Sequence, residues 1–115
     1  MYRMTYEEIL DGDSREGRTR ERMALDRGID LMQRAEVEGV RSPEALEAIA
    51  YVQKLWGFLI RDLADPGNHL PDALRGDLIS IGLWCMTETD RLLAEKVDSF
   101  AGLIAVNSSI RDGLK

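Results

Sequence analysis

The stretch Leu70–Met86, LPDALRGDLISIGLWCM, holds the longest apolar run in the chain and opens with a signal for the start of a helix. Pro71 suits a first helical turn, where its missing N–H needs no partner, and Asp72 places negative charge at the positive end of the helix dipole. Apolar side chains then recur in two neighbouring rows at helical spacing: Leu74, Leu78, Ile81 and Cys85, beside Ile79, Leu83 and Met86. Two rows predict burial on more than one side, so we expect this helix to be the central one of a bundle.

Two further long helices are predicted before this stretch. Ser14 is a candidate N-cap for a helix over Arg15–Glu38, and Gly39 suits the position just after its end. The apolar stripe of this helix is narrow, which predicts that it buries one face only. A capping hydroxyl, a proline and an acid follow in Ser42–Glu44, so we expect a second helix that starts there, runs to about Ala64 and carries two apolar rows.

The remaining elements are a turn, a short last helix and an arm. Asp65–Asn68 contains proline and glycine and predicts a tight link between antiparallel helices. Ser99 is a candidate cap for a C-terminal helix in which Asn107 is a weak helix former, so Asn107 is expected to bond to a neighbouring helix or to mark a partner's contact edge. An apolar arm, Met1–Leu10, precedes the first helix. The predicted fold class is therefore all-α: a small bundle of three long helices, a short C-terminal helix and an N-terminal arm.

Composition and charge favour a single domain that binds protein. The 115 residues are 44% apolar and 31% charged, which is enough to build one core, so we expect one domain over residues 1–115. A formal net charge of −6 disfavours nucleic acid and anionic membranes as partners. The single cysteine, Cys85, cannot form an internal disulfide, and the sequence shows no membrane span and no signal-peptide pattern, so we expect a cytoplasmic location.

The usual signatures of catalysis and metal binding are missing from the sequence. It contains no GxGxxG, phosphate loop, HExxH or CxxC motif. His69 is the only histidine and has no second histidine or cysteine nearby to share a metal. We therefore expect no enzyme activity, no cofactor and no metal site.

An arginine concentration over Arg15–Arg27 allows one nucleic-acid hypothesis. Arginine-rich helices can bind RNA through phosphate pairing and stacking, and Arg18 and Arg22 are the candidate residues. Acidic residues interleave with these arginines, however, and Arg22 with Asp26 has the spacing of an intrahelical ion pair. The pattern therefore favours a solvated, self-neutralised face over an RNA-binding one.

Several segments together resemble the FlaF family of flagellar biosynthesis regulators from alphaproteobacteria. They are LWGFLIRDLADPGNHLPDALRGDLISIGLWCM (Leu55–Met86), IAVNSSIRDGL (Ile104–Leu114), the start MYRMTYEEI and RERMALDRGIDLM (Arg20–Met32). The resemblance spans essentially the whole chain. It implies an assembly factor that acts with a second regulator, FlbT, as a positive regulator of flagellin synthesis and as an export chaperone for flagellin.

A flagellin chaperone implies an apolar groove. Flagellin subunits carry amphipathic terminal helices that pack together only in the filament, so a chaperone must cover their apolar stripes. The residues expected to cover or form the groove belong to the arm and the last helix: Tyr2, Tyr6, Ile9, Phe100, Leu103 and Ile110. Two alternatives stay open, an RNA-linked regulator of flagellin that acts through Arg18 and Arg22, and an adaptor that bridges flagellin and FlbT.

Overall fold

The computed structural model describes the backbone of residues 6–114 and the side chains of residues 17–114. Four helices follow one another: α1 (Tyr6–Glu38), α2 (Pro43–Ala64), α3 (Asp72–Leu93) and α4 (Ala101–Gly113). Within residues 6–114 there is no strand, and the predicted all-α class of three long helices and a short last one is confirmed. The first five residues of the predicted arm lie outside the described part of the chain, and the rest of the arm belongs to α1.

Local capping chemistry sets the α1–α2 connection. Gly39 adopts a left-handed φ of +115° directly after α1, a conformation that glycine reaches without a steric penalty. The Ser42 hydroxyl accepts a hydrogen bond from the Ala45 N–H at 3.1 Å, and Pro43 opens α2. Both predicted boundaries are therefore confirmed.

The predicted start of α1 at Ser14 is wrong, because the helix already begins at Tyr6. The polar run before Ser14 contains a glycine but no proline. A lone glycine costs a helix only about 1 kcal/mol, so a polar run of this kind does not end a long helix.

Each helix is joined to a neighbour by a defined polar contact. The Tyr51 hydroxyl of α2 donates to the Ala24 carbonyl of α1 at 2.8 Å. On its other side, α2 is tied to α3 by the Gln53 amide, which donates to the Thr89 hydroxyl at 3.0 Å. The helix α4 packs against α1, where Arg111 forms an ion pair with Asp26 at 3.1 Å. Short connections make successive helices antiparallel, so the bundle runs up and down.

The central helix is α2, and the prediction that α3 is central is wrong. α2 packs against both α1 and α3, and seven of its residues are buried. α3 buries only Gly82, Cys85, Thr89 and Leu92, while Leu83 in its second apolar row stays 55% exposed. That row is exposed because no described helix packs over it. An apolar row therefore shows that burial would be favourable, but not that the chain itself supplies the cover.

The end of α1 holds the start of α4. Glu36 accepts hydrogen bonds from the backbone N–H of Phe100 and from the Ser99 hydroxyl, the latter at 3.2 Å. A carboxylate at this position satisfies unpaired N–H groups and complements the positive end of the helix dipole. The Ser99 hydroxyl also accepts from the Ala101 N–H at 2.9 Å, so it serves the start of α4 as predicted, although Phe100 is the residue before the helix.

Gly82 allows α3 to approach α2 closely. A Cβ atom at this position would lie 2.7 Å from Cε3 of Trp56 and 2.9 Å from Cγ1 of Ile60. The Trp56 ring is fully buried and cannot swing into solvent. The glycine is therefore required by packing, despite its cost of about 1 kcal/mol in a helix.

We expect Gly82→Ala to destabilise the fold by about 1–3 kcal/mol, because the added methyl group forces the Trp56 ring or the helix axis to shift. Gly76→Ala in the same helix is the matched control, since no atom lies within 4 Å of its added Cβ. The control should gain up to ~1 kcal/mol from helix propensity. Urea unfolding followed by circular dichroism measures both changes, and equal stability of the two variants would contradict this account of the packing.

Candidate partner-binding surface

The C-terminal residues predicted to form a groove lie mainly in the chain's own core. Phe100 and Leu103 are fully buried, and Ile110 is partly buried against the same core cluster. A partner cannot reach Phe100 or Leu103 unless α4 moves, because both side chains face inward. Tyr2 and the side chains of Tyr6 and Ile9 lie outside the described residues. A groove made by these six residues therefore stays a prediction.

A buried polar link explains why α4 is fixed. The Trp56 indole N–H donates to Oδ1 of Asn107 at 2.8 Å, and Nδ2 of Asn107 donates to the Leu103 carbonyl at 2.8 Å. The same Nδ2 lies 3.7 Å from the Cys85 sulfur of α3. Asn107 thus connects three helices in a site closed to water, which confirms the expectation that it bonds to a neighbour.

We expect Asn107→Ala to destabilise the protein by about 1–3 kcal/mol or more, because the Trp56 donor then stays buried without an acceptor. Trp56→Phe should also be costly, and the double variant should lose less than the sum of the two single losses, with a coupling of about 0.5–3 kcal/mol. Denaturant unfolding of the four proteins measures the cycle. Ser109→Ala on the exposed side of α4 is the control, and additive losses would show that the two side chains do not depend on each other.

Cys85 behaves as a small buried apolar residue. The thiol is fully buried, and burial raises its pKa to about 11, although the hydrogen bond with Asn107 lowers it and the charge of Glu88 raises it further. A nucleophilic cysteine needs a lowered pKa and access to solvent, and Cys85 has neither. The raised pKa also means that the unfolded thiol ionises first, so stability falls as the pH rises from about 8.5 towards 11.

We expect Cys85 to react slowly with an aromatic disulfide reagent at pH 8. Only about one thiol in a thousand is ionised there in the folded protein, and the sulfur is covered. In urea, where the thiol is exposed and its pKa is ordinary, the same reagent should react rapidly. The absorbance of the released thiolate measures both rates, and equal rates in the two conditions would contradict the burial of this thiol.

The other shifted groups are explained by packing or ion pairing. Burial, together with the negative charge of Asp62, raises the pKa of Glu21 between α1 and α2. Burial also raises the pKa of Tyr51, which donates to α1. Hydrogen bonds to Asp26 and to the aspartate that directly follows Arg111 in the sequence raise the pKa of Arg111. Since these groups do not converge on one pocket, they do not form a catalytic constellation.

The arginine face of α1 is exposed and partly neutralised. Arg18 and Arg22 are both exposed. Farther along the helix, Asp30 pairs with Arg34 at 3.1 Å and with Arg27 at 3.7 Å. Asp26, predicted to pair within the helix, binds Arg111 of α4. Exposed pairs of this kind contribute roughly 0–1 kcal/mol each, so they shape the surface charge more than the stability.

A partly exposed apolar stripe lies on the face of the α2–α3 pair that points away from α1 and α4. We call it the outer stripe; it comprises Leu46, Ala50 and Gly57 of α2 with Ile79, Leu83, Met86 and Leu93 of α3. Its leucines and Ala50 are exposed, whereas its other members are half-buried. These residues recur at spacings of three, four and seven, so they share one side of each helix. That side lies opposite Tyr51, which contacts α1, and away from Trp84, whose ring lies beside Gly102 of α4.

Hydrogen bonds set the register of the outer stripe. Gln53 donates to Thr89 and to Asp90 at 3.0 Å, which brings the middle of α2 level with the last turns of α3. Ala50, about one turn before Gln53, is therefore level with Leu93, about one turn after Asp90, and Leu46 lies about one turn farther along, level with the chain just after α3. The exposed fractions of Leu46, Leu83 and Leu93 are 58%, 55% and 50%.

The sequence contains a signal for this surface, but apolar rows at helical spacing predict burial and not exposure. Leu83 and Met86 belong to the second apolar row of α3 and Leu46 to a predicted apolar row of α2. Ala50 and Gly57 carried no signal, because small residues become informative only once their neighbours are known. An exposed apolar row of this length is a candidate for a protein contact.

The described residues form neither a metal-binding cluster nor a membrane-spanning helix. No group of three His, Cys, Asp or Glu residues in residues 17–114 is placed to hold a metal ion. Among the described helices, none combines the length and apolar character needed to cross a membrane. A helical bundle with an exposed apolar face is typical of a protein that acts by contact with other proteins.

Comparison with protein families identifies the particular family. A family model described as "Flagellar protein FlaF" matches residues 2–114, nearly the whole chain. The chain therefore belongs to the FlaF family of flagellar proteins, which confirms the resemblance found in the sequence. This is a family of flagellar regulatory and assembly proteins and not a known enzyme family. Searches of curated proteins and of solved structures found no match.

Proposed function

We propose that this protein binds flagellin in the cytoplasm, keeps it monomeric for export, and acts with an FlbT-like regulator to promote flagellin synthesis. Membership of a flagellar family sets the biological context. The observation that carries the proposal is the outer stripe, where three leucines at least half exposed lie on two helices joined by the Gln53 hydrogen bonds and by the close approach at Gly82. Such a surface suits a partner whose own apolar helix face must be kept from water and from its copies.

Burial energetics support a helix as the ligand. Covering apolar surface contributes roughly 25 cal/mol per Å², so several leucine side chains covered on both partners can offset the cost of association. The bundle is already ordered on this side by the Gln53 and Gly82 contacts described above, so binding need not order α2 or α3. A preformed apolar face on two helices resembles the groove in which amphipathic helices commonly bind.

The RNA alternative has weaker support. Arg18 and Arg22 are exposed, but their helix also carries exposed or half-exposed carboxylates, and the whole chain has a net charge of −6. Binding to phosphates would have to overcome this repulsion. Replacing both arginines by glutamate should leave flagellin binding unchanged under the chaperone hypothesis, whereas it should abolish any RNA binding that depends on them.

Size-exclusion chromatography with light scattering tests the proposed function directly. The purified protein is mixed with monomeric flagellin, with and without the FlbT-like protein, and we expect a stable complex whose mass contains one flagellin subunit. A polymerisation assay should show that filament growth is delayed in proportion to the complex formed. No delay despite a complex would favour the adaptor hypothesis, and no complex with or without FlbT would contradict flagellin binding.

A further inference from the structure

We propose that the connection between α3 and α4, residues 94–100, is a hinge through which two copies of this chain exchange their α4 helices. In the exchanged dimer, α4 of each copy occupies the place on the other copy that it occupies here on its own. Three features of the described structure support the exchange: a left-handed Glu95, a connection without glycine or proline, and a docking site for α4 that every copy presents.

Glu95 has a backbone conformation that is unfavourable for a residue with a side chain. Its φ of +59° is the only positive one among the non-glycine residues of the described chain. The last turn of α3 closes with hydrogen bonds from the Glu95 N–H to the Leu92 carbonyl at 3.1 Å and from the next N–H to the Arg91 carbonyl at 2.9 Å. Glycine usually occupies this position, as Gly39 does after α1. The turn that folds α4 back onto the bundle therefore stores strain at Glu95.

The sequence of the connection allows it to straighten. Residues 94–100 read AEKVDSF and contain neither glycine nor proline, whereas Gly39 lies in the α1–α2 connection and Gly67 in the α2–α3 turn. The first three residues, an alanine, a glutamate and a lysine, are strong helix formers. The helix α3 can therefore continue through Glu95 with ordinary helical dihedrals, which removes the strain and carries α4 away from its own bundle.

Exposed charges hold the connection in its folded-back form. Arg41, from the α1–α2 connection, pairs with Glu95 at 3.3 Å and with Asp98 at 3.1 Å. Its guanidinium also donates to the Val97 carbonyl at 3.4 Å. Both carboxylates are exposed, so these pairs are weak and are screened by salt. The folded-back hinge is thus opposed by strain and held by contacts that salt weakens.

The surface beneath α4 fits the α4 of a second copy, because every copy carries the same residues. The buried hydrogen bond from Trp56 to Asn107 and the ion pair between Asp26 and Arg111 both join α4 to the rest of the chain. After exchange, the Trp56 indole of one copy donates to Asn107 of the other, so it keeps its acceptor. Exchange therefore retains the buried contacts that simple release of α4 would lose, which favours a second copy over an unrelated partner.

Closure within one chain competes with exchange. A short connection keeps α4 near its own bundle at an effective concentration in the millimolar range, so exchange requires concentrated protein. The net charge of −6 on each copy opposes association at low salt, and salt screens this repulsion as well as the Arg41 pairs. We expect a monomer in dilute solution and a dimer fraction that rises with protein concentration and with salt.

Refolding from urea over a range of protein concentrations up to about 1 mM, followed by size-exclusion chromatography with light scattering, tests the hinge. Glu95→Gly should raise the dissociation constant of the dimer at least about tenfold relative to Glu95→Ala, because glycine accepts the left-handed turn and disfavours a continued helix in both chains. Both variants lose the pair with Arg41, so the comparison isolates the backbone. Arg41→Gln should increase the dimer fraction, most clearly at low salt.

A mixture of two charge variants distinguishes exchange from side-by-side association. Asp26→Arg places two arginines together within one chain, and Arg111→Asp places two aspartates together. In an exchanged heterodimer, the new arginine of one chain meets the new aspartate of the other, and the second bundle regains the original pair. When the two variants are refolded together, we therefore expect heterodimers in excess of the statistical proportion, as measured by native mass spectrometry.

Leu83→Glu is the control for a dimer formed through the outer stripe, and it should leave the dimer fraction unchanged. All variants should keep the helical content of the unchanged protein by circular dichroism. Equal dissociation constants for Glu95→Gly and Glu95→Ala, a statistical proportion of heterodimers, or a dimer lost in Leu83→Glu would each overturn the exchange. A protein that stays monomeric at every concentration and salt would also overturn it, while flagellin binding, measured with dilute protein, is tested separately.

Discussion

The buried hydrogen bond from the Trp56 indole to Asn107 fixes α4 in the bundle. It therefore determines which helix faces stay accessible at the surface. An indole N–H in a dry core must find an acceptor, and α4 supplies it. The same tryptophan ring fills the notch left by Gly82 of α3. α2, α3 and α4 therefore meet at one side chain, and Glu36 of α1 holds the first turn of α4.

This arrangement separates the core from the surface available to partners. The apolar face of α4 packs inside the protein, because Phe100 and Leu103 fill the core. If Asn107 moved away, the indole N–H of Trp56 would stay buried without a hydrogen-bond acceptor. A partner can therefore use the last helix only at the expense of the buried hydrogen bond. The outer stripe requires no such rearrangement, since its leucines already lie at the surface. An apolar partner could therefore contact the exposed face of α2 and α3 without breaking a buried hydrogen bond, whereas contact with the apolar face of α4 would break one.

The features that could be predicted from the sequence are those decided within a few residues. The hydroxyl of Ser42 and the left-handed Gly39 act locally, so their chemistry predicts their structure. The same holds for the turn at Asp65, whose carbonyl accepts a hydrogen bond from the Asn68 N–H at 2.9 Å. The sequence allows two interpretations of Asn107, because a polar residue in a helix does not reveal which neighbour satisfies it. The predicted start of α1 at Ser14 is wrong for a related reason: a serine that could cap a helix can also lie inside one.

The wrong prediction that α3 is the central helix has a physical cause. Helical periodicity shows which residues gain from burial, but the covering surface is a tertiary property. Phe100 and Leu103 have the pattern of apolar residues that gain from burial, and the chain covers them itself. The row containing Leu83 has the same pattern, but the chain leaves it exposed. Among the described residues, this row has the pattern of a buried face but no cover. The exposed side of α3 is thus the place where the sequence pattern and the described fold disagree, because periodicity reports the gain from burial and the neighbouring helices decide whether burial occurs.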